Sequence, residues 1–243
     1  MTRIFLNRRP QPWTGELIGI LTLEASIPYV VGNVSNAATH GFPVRYKTIA
    51  GASIERLLHQ SDRGLLQPVL DAARELEREV VGAETGACGF MALFQREVSQ
   101  ALSIPVFLSS LLQAPLVHAV TRRPIGIITA DSRRLHKAHL EACGIAADVP
   151  VVIRGMQDEP EFRGAILDEC GSLDSALIEA EAVSVARSLV ADRPDIGAIL
   201  LECSDLPPYS KAIQAATGRP VFDYNTMIDW MASGLRSRSY GER

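Results

Sequence analysis

The sequence predicts an α/β fold of two pseudo-symmetric domains, each a parallel sheet flanked by helices, with the active site in the cleft between them. Three observations carry this. Short apolar runs alternate with amphipathic stretches along the whole chain, the pattern of parallel sheets covered on both faces. One half of the chain repeats the other in the order of its elements. The length of 243 residues, 47% of them hydrophobic and 21% charged, suffices for a substantial core without disulfide staples.

The first element, "ELIGILTLE", is a buried strand, a short apolar run ending near turn residues. In "DRGLLQPVLDAARELEREVV", Leu65, Leu66, Val69, Leu70, Ala73, Leu76 and Val80 fall near helical spacing. "EVVGAETGAC" is the next strand, "FMALFQREVSQAL" an amphipathic helix and "IPVFLSS" a short strand. "RPIGIITA" is a strand, after which Asp131 and Ser132 are suited to cap the helix "RRLHKAHLEACG", closed by Gly144. "DVPVVIRG" is a strand and "LDSALIEAEAVSVARSLVADR" a long helix. "IGAILLEC", "PPYSKAIQAAT", "RPVFD" and "YNTMIDWMASGLRSR" complete the chain as strand, helix, strand and helix, before a tail expected to be loose, "RSRSYGER". The domains are placed at 1–115 plus 220–243 and at 116–219.

The repeat singles out two cysteines. "GAETGAC" at 82–88 and "GAILLEC" at 197–203 both begin Gly-Ala and end in Cys. Each is followed, 17 positions beyond the thiol, by Pro-Val-Phe at Pro105 and Pro220. Upstream, "IGILT" at 18–22 matches "IGIIT" at 125–129. Cys88 and Cys203 therefore each stand at the carboxyl end of a strand, where open parallel sheets bind ligands. Each also precedes a helix, whose N-terminus stabilises a thiolate and offers free N–H groups to an anion. Both thiols persist where most of the residues between them differ. Cys143 and Cys170 do not repeat and read as small core residues. Two opposed thiols can deprotonate a carbon α to a carboxylate on one face and reprotonate it on the other.

Composition narrows the classes. A net charge of −4 with mixed acids and bases offers no stripe for nucleic acid. "MTRIFLNRRPQPW" has no apolar stretch of the secretory kind, and no run is long enough for a bilayer. A cytoplasmic protein with four free thiols is expected. No CxxC pair supports a zinc ribbon, and no phosphate-binding fingerprint supports a nucleotide cofactor.

"TGACGF" around Cys88, "SSLLQ" at 109–113, "IGIITADS" at 125–132 and "LLECSDLPPY" at 200–209 resemble the aspartate/glutamate/hydantoin racemase superfamily. The order of elements agrees over nearly the whole chain. The resemblance implies two pseudo-symmetric domains and cofactor-independent catalysis, with Cys88 and Cys203 as acid and base. It implies that the N–H groups of Gly89 and Phe90 hold the substrate carboxylate and that Ser132 and Ser204 add hydroxyl donors. Departures point away from a plain aspartate or glutamate substrate. The first-strand loop "EASIPYVVGNVSNAATHG" lacks an Asp-Ser pair, Gly-Phe follows Cys88, and Ser-Asp follows Cys203. The superfamily also contains arylmalonate decarboxylase, which keeps only the second cysteine, and maleate isomerase.

The expected function is a racemase or epimerase of a small carboxylate, an amino acid or hydantoin-like compound, with two-base proton transfer by Cys88 and Cys203. A maleate-type cis–trans isomerase or a decarboxylase is the alternative. No cofactor, metal, nucleic acid or membrane is expected as a partner, and a homo-oligomer is the default assembly. Asn33 and Asn36 are weighed equally as substrate ligands and as turn residues. Strand alternation points Glu202 away from the thiol; Asp205 reads as a helix cap. His136 and His139 read as a solvated helical face, and His40, His59 and His118 receive no role.

Overall fold

The structure, a computed structural model, describes residues 13–237. The amino-terminal segment through Pro12 and most of the tail "RSRSYGER" lie outside the described residues. Two four-stranded sheets repeat one topology. In the first, β1 (Ile18–Thr22), β2 (Val44–Thr48), β3 (Ala83–Gly86) and β4 (Val106–Phe107) are ordered β2-β1-β3-β4. In the second, β5 (Ile125–Thr129), β6 (Val151–Gly155), β7 (Ala198–Leu201) and β8 (Val221–Phe222) are ordered β6-β5-β7-β8. All pairings are parallel.

The helices are α1 (Leu66–Arg78), α2 (Gln95–Ala101), α3 (Ala114–Thr121), α4 (Lys137–Ala142), α5 (Pro160–Phe162), α6 (Ser175–Asp192), α7 (Ser210–Thr217) and α8 (Tyr224–Leu235). Local chemistry sets their starts. Asp174 accepts from the N–H groups of Ala176 and Leu177 to begin α6, and Asp223 with Thr226 forms a capping box at α8. Pro220 precedes β8, which pairs with β7 of the second sheet, whereas α8 packs its Tyr224, Met227 and Ile228 against Ile18, Ile20 and Phe107 of the first.

The duplication extends to irregular detail. A π-turn at Glu55–His59 follows β2, and another at Arg163–Leu167 follows β6 and α5. Two residues beyond each, Ser61 and Glu169 adopt the same left-handed φ of 49°. The glycine of each "IGI" is a packing requirement: a Cβ on Gly19 would meet Leu76 of α1, and one on Gly126 would meet Leu189 of α6. Part of the repeated sequence therefore exists so that a helix can lie close on a strand.

Three elements escaped the sequence reading. β2, "VRYKT", is an edge strand whose Arg45 and Lys47 pair with Glu79 and Glu75 of the α1 region at 2.5 and 2.7 Å. α3 is short and apolar with Pro115 in its first turn. The turn formed by α5 and the π-turn after it lies in "EPEFRGAILD". The cap reading at 131–132 also changes. α4 begins after His136, and His139 Nδ1 accepts the His136 N–H at 3.1 Å. Asp131 instead binds Arg133 through its backbone N–H and guanidinium.

Candidate active site

Both repeated cysteines stand two residues past their strands, Cys88 after β3 and Cys203 after β7. Both thiols, with Gly89, Phe90 and Ser204, line one cleft. The cleft has about 520 Å³ of empty space, its open mouth included. Leu23, Ala25 and Ile27 come from the loop after β1, and Ile166 and Leu167 from the π-turn of the second half. The two loops meet where the Ser26 N–H donates to Glu169 at 2.6 Å.

Cys88 is half-buried and begins a short 3-10 helix, Gly89–Phe94, that leads into α2. Burial pushes its thiol above the usual range, and Glu202 adds to this, while backbone N–H groups of Phe90 and Met91 oppose it. Gly89 follows the thiol because nothing larger fits. A Cβ there would lie inside 3.0 Å of the Glu202 carboxyl and carbonyl oxygens.

Cys203 is buried and carries a carboxylate partner. Its Sγ donates to Asp205 Oδ2 at 3.5 Å. The other oxygen of Asp205 accepts from Asn33 Nδ2 at 2.6 Å. Burial raises the Cys203 thiol well above its ordinary value, and Asp205 and Glu202 push it further. The loop bearing Asn33 is pinned to the second half. Gly32 has φ +103° and sits so close to Pro208 that a side chain would collide with its Cα, and Asn225 donates to the Gly32 carbonyl at 2.8 Å. Asn33 thus orients Asp205 and does not itself line the cleft. Asn36 does turn chemistry, accepting from the Ala38 N–H.

Several expectations are corrected here. Ser132 lies outside the cleft lining, with its N–H and hydroxyl bonded to Gln157. Ser204 lines the cleft, but its hydroxyl donates across the domain boundary to the Ala87 carbonyl at 2.7 Å. Glu202 faces the cleft. It is fully buried, its Oε2 accepts from Thr129 Oγ1 at 2.6 Å, and burial lifts it to about 7. Asp205 serves the thiol and not a helix cap, since the following 3-10 turn starts after Leu206. His139 is fully buried, edge-on to Phe90 with ring centroids 5.2 Å apart, and burial lowers it to about 4. His139 therefore packs on the first domain, whereas His136 is exposed as expected.

Tyr29 lines the cleft and was missed; its phenol is pushed up to about 12 by burial, then by Asp205, Glu169 and Cys88. Among the described residues, no lysine, arginine or histidine lines the cleft, which holds two thiols and two carboxyl groups. Among the described residues, too, no helix is long and apolar enough to cross a membrane.

Comparisons with known proteins separate fold from reaction. No family model matches the chain. Unliganded arylmalonate decarboxylase superposes with a TM-score of 0.60 at 15% identity, covering 92% of this chain and 94% of that one. Glutamate racemase from Francisella tularensis subsp. tularensis SCHU S4 gives 0.56 at 19% identity, covering 91% and 81%. A putative Asp/Glu racemase from Yersinia pestis gives 0.57 at 15% identity, covering 90% and 97%. The fold is that of the aspartate/glutamate/hydantoin racemase superfamily. In sequence, dimethylsulfoniopropionate lyase of Durusdinium sp. clade D is 33% identical over 228 residues, covering 90% of this chain and 74% of that protein. Dimethylsulfoniopropionate lyase 3 of Emiliania huxleyi (strain CCMP1516) is 33% identical over 230 residues, and this chain spans 59% of its length. These relatives are lyases and overturn the racemase reading, which assigned an isomerase with two-base proton transfer.

Proposed function

This chain belongs to the dimethylsulfoniopropionate lyase family, and from that premise we propose that it cleaves a β-sulfonio carboxylate by elimination, with Cys203 as the base. The observation that carries the assignment of the base is the chain of contacts Asn33–Asp205–Cys203. Among the residues lining the cleft, Cys203 has a carboxylate oxygen at hydrogen-bond distance from its thiol.

The thiol proton moves onto Asp205, leaving a thiolate beside the substrate. Burial and neighbouring acids hold the resting thiol protonated. A sulfonium entering the cleft adds the missing positive charge and brings the thiol down towards ionisation. The thiolate then takes the proton from the carbon α to the substrate carboxylate. The electron pair of that C–H bond becomes the carbon–carbon double bond. The bond from the β-carbon to sulfur breaks, and its electron pair leaves on sulfur as neutral dimethyl sulfide, with acrylate as the second product. Elimination needs one base, whereas inversion needs a proton returned from the opposite face. Cys88 forms the facing wall.

The purified chain supplied with dimethylsulfoniopropionate is expected to release dimethyl sulfide and acrylate in equal amounts, read by gas chromatography and by the ultraviolet absorbance of acrylate. Substrate that returns intact, with or without deuterium from solvent at the α-carbon, would refute the reading. Asp205→Asn keeps the shape of the relay but removes its charge. It should lower kcat by roughly 10- to 100-fold with little change in KM; an unchanged kcat would detach Asp205 from the base.

A further inference from the structure

We propose that Glu202 is the specificity-determining residue that selects a cationic group on the substrate, by presenting an uncommitted carboxylate oxygen to it in the cleft. The proposal rests on the elimination reading above. Glu202 is fully buried and lines the cleft. Thr129 satisfies its Oε2 at 2.6 Å, while its Oε1 has no hydrogen-bond partner among the described residues. A buried carboxylate with an open oxygen is costly unless it is neutral or meets a positive charge. No basic side chain among the described residues lines the cleft, so the positive charge that would favour the ionised form is one that a ligand brings.

The acid is also one-sided. Cys88 and Cys203 are equivalent in the repeat, so the counterpart of Glu202 is Ala87. The cation is therefore drawn to an acid that the second domain carries. Gly89, without a side chain, makes room for the acid.

Binding is thereby linked to pH. Burial places Glu202 at about 7, so it is partly protonated near neutrality. A cation favours the ionised form, and its binding should tighten as pH rises from 6 to 8. The other titratable groups facing Glu202 are Cys88, Cys203, Cys143 and Tyr224, all raised by burial far above this window. His139, near Phe90, lies below it. Asp205, raised by burial, is present equally in the wild type and in a Glu202 variant.

The test uses two inert mimics of the substrate. One carries a trimethylammonium in place of the sulfonium; the other carries a tert-butyl group of the same shape and no charge. Inhibition constants are measured from pH 6 to 8. The wild type should bind the ammonium mimic about tenfold or more tighter than the tert-butyl mimic at pH 8, with the preference shrinking towards pH 6. Glu202→Gln should bring the two within about twofold at every pH, with the tert-butyl constant unchanged. Equal binding of the two mimics by the wild type overturns the proposal, and so does a preference that survives Glu202→Gln. The wild-type comparison and its pH trend decide the matter even if the variant does not fold. Displacement of a fluorescent cleft probe reads the same constants without turnover. An ammonium preference in a chain that releases no dimethyl sulfide would sink the elimination reading and keep this one.

Discussion

Cys203→Ala is expected to lower kcat/KM for dimethyl sulfide release by roughly 10²- to 10⁴-fold, the range lost when a positioned general base is removed. The fold should survive, because the side chain is small and the change deletes one sulfur from a wall of the cleft. Cys203→Ser makes the sharper comparison. A serine hydroxyl can keep the hydrogen bond to Asp205, but an alcohol is a far weaker acid than a thiol and does not ionise there. Serine should therefore be as inactive as alanine, which separates the chemistry of the thiolate from the structure of the contact. Cys88→Ala should retain much of its turnover, since the carboxylate relay through Asp205 serves the other thiol. The measurement is initial rate by gas chromatography, with circular dichroism to verify folding. If Cys88→Ala is dead and Cys203→Ala is active, the base has been assigned to the wrong half.

Gly89→Ala is expected to destabilise the chain by about 1–3 kcal/mol, the usual cost of overpacking a filled interior, and to reduce turnover by about 10²-fold through misplacement of the thiol loop. The cause is steric, because the added Cβ would overlap the carboxyl and carbonyl oxygens of Glu202 across the domain boundary. The Glu202 side chain is held by Thr129, and its carbonyl is backbone, so neither yields cheaply. Urea unfolding measures the first effect and initial rate the second. Wild-type stability together with wild-type rate would mean that the two domains have slack at this contact.

The cysteine pair was legible because a duplication leaves equal offsets. Six positions from Gly-Ala to Cys in both halves, and 17 from Cys to Pro-Val-Phe, cannot be preserved by loops of unrelated design. Alternation along a strand misled at Glu202. β7 ends at Leu201, and past the last ladder residue the chain turns, so adjacent side chains no longer point to opposite faces. Asp205 resembled a helix cap because an aspartate in the turn between a strand and a helix usually is one. Only the loop from the other half, bringing Asn33 to 2.6 Å, shows where it is held. His139 looked solvated on its own helix until Phe90 of the first domain covered it.

The choice between racemase and lyase has a different origin. Both reactions begin with loss of a proton α to a carboxylate, and a thiol placed beside that carbon is suited to either. The fate of the resulting electron pair depends on whether the β-carbon carries a group that can leave, which is a property of the substrate. Cysteine spacing is silent on it, and it was the similarity to lyases that overturned the racemase reading.

By itself, then, the sequence determined the α/β class, the twofold repetition and the placing of a thiol at the end of one central strand in each half. These properties come from local periodicity and from offsets within one chain, which a linear text preserves. The tertiary structure alone decided which thiol has a carboxylate partner, why Gly89 must be glycine and how one-sided the acidity of the cleft is. Those properties arise where residues 33, 89, 202 and 205 meet across the domain boundary, and contacts made at such sequence separations leave no local signal.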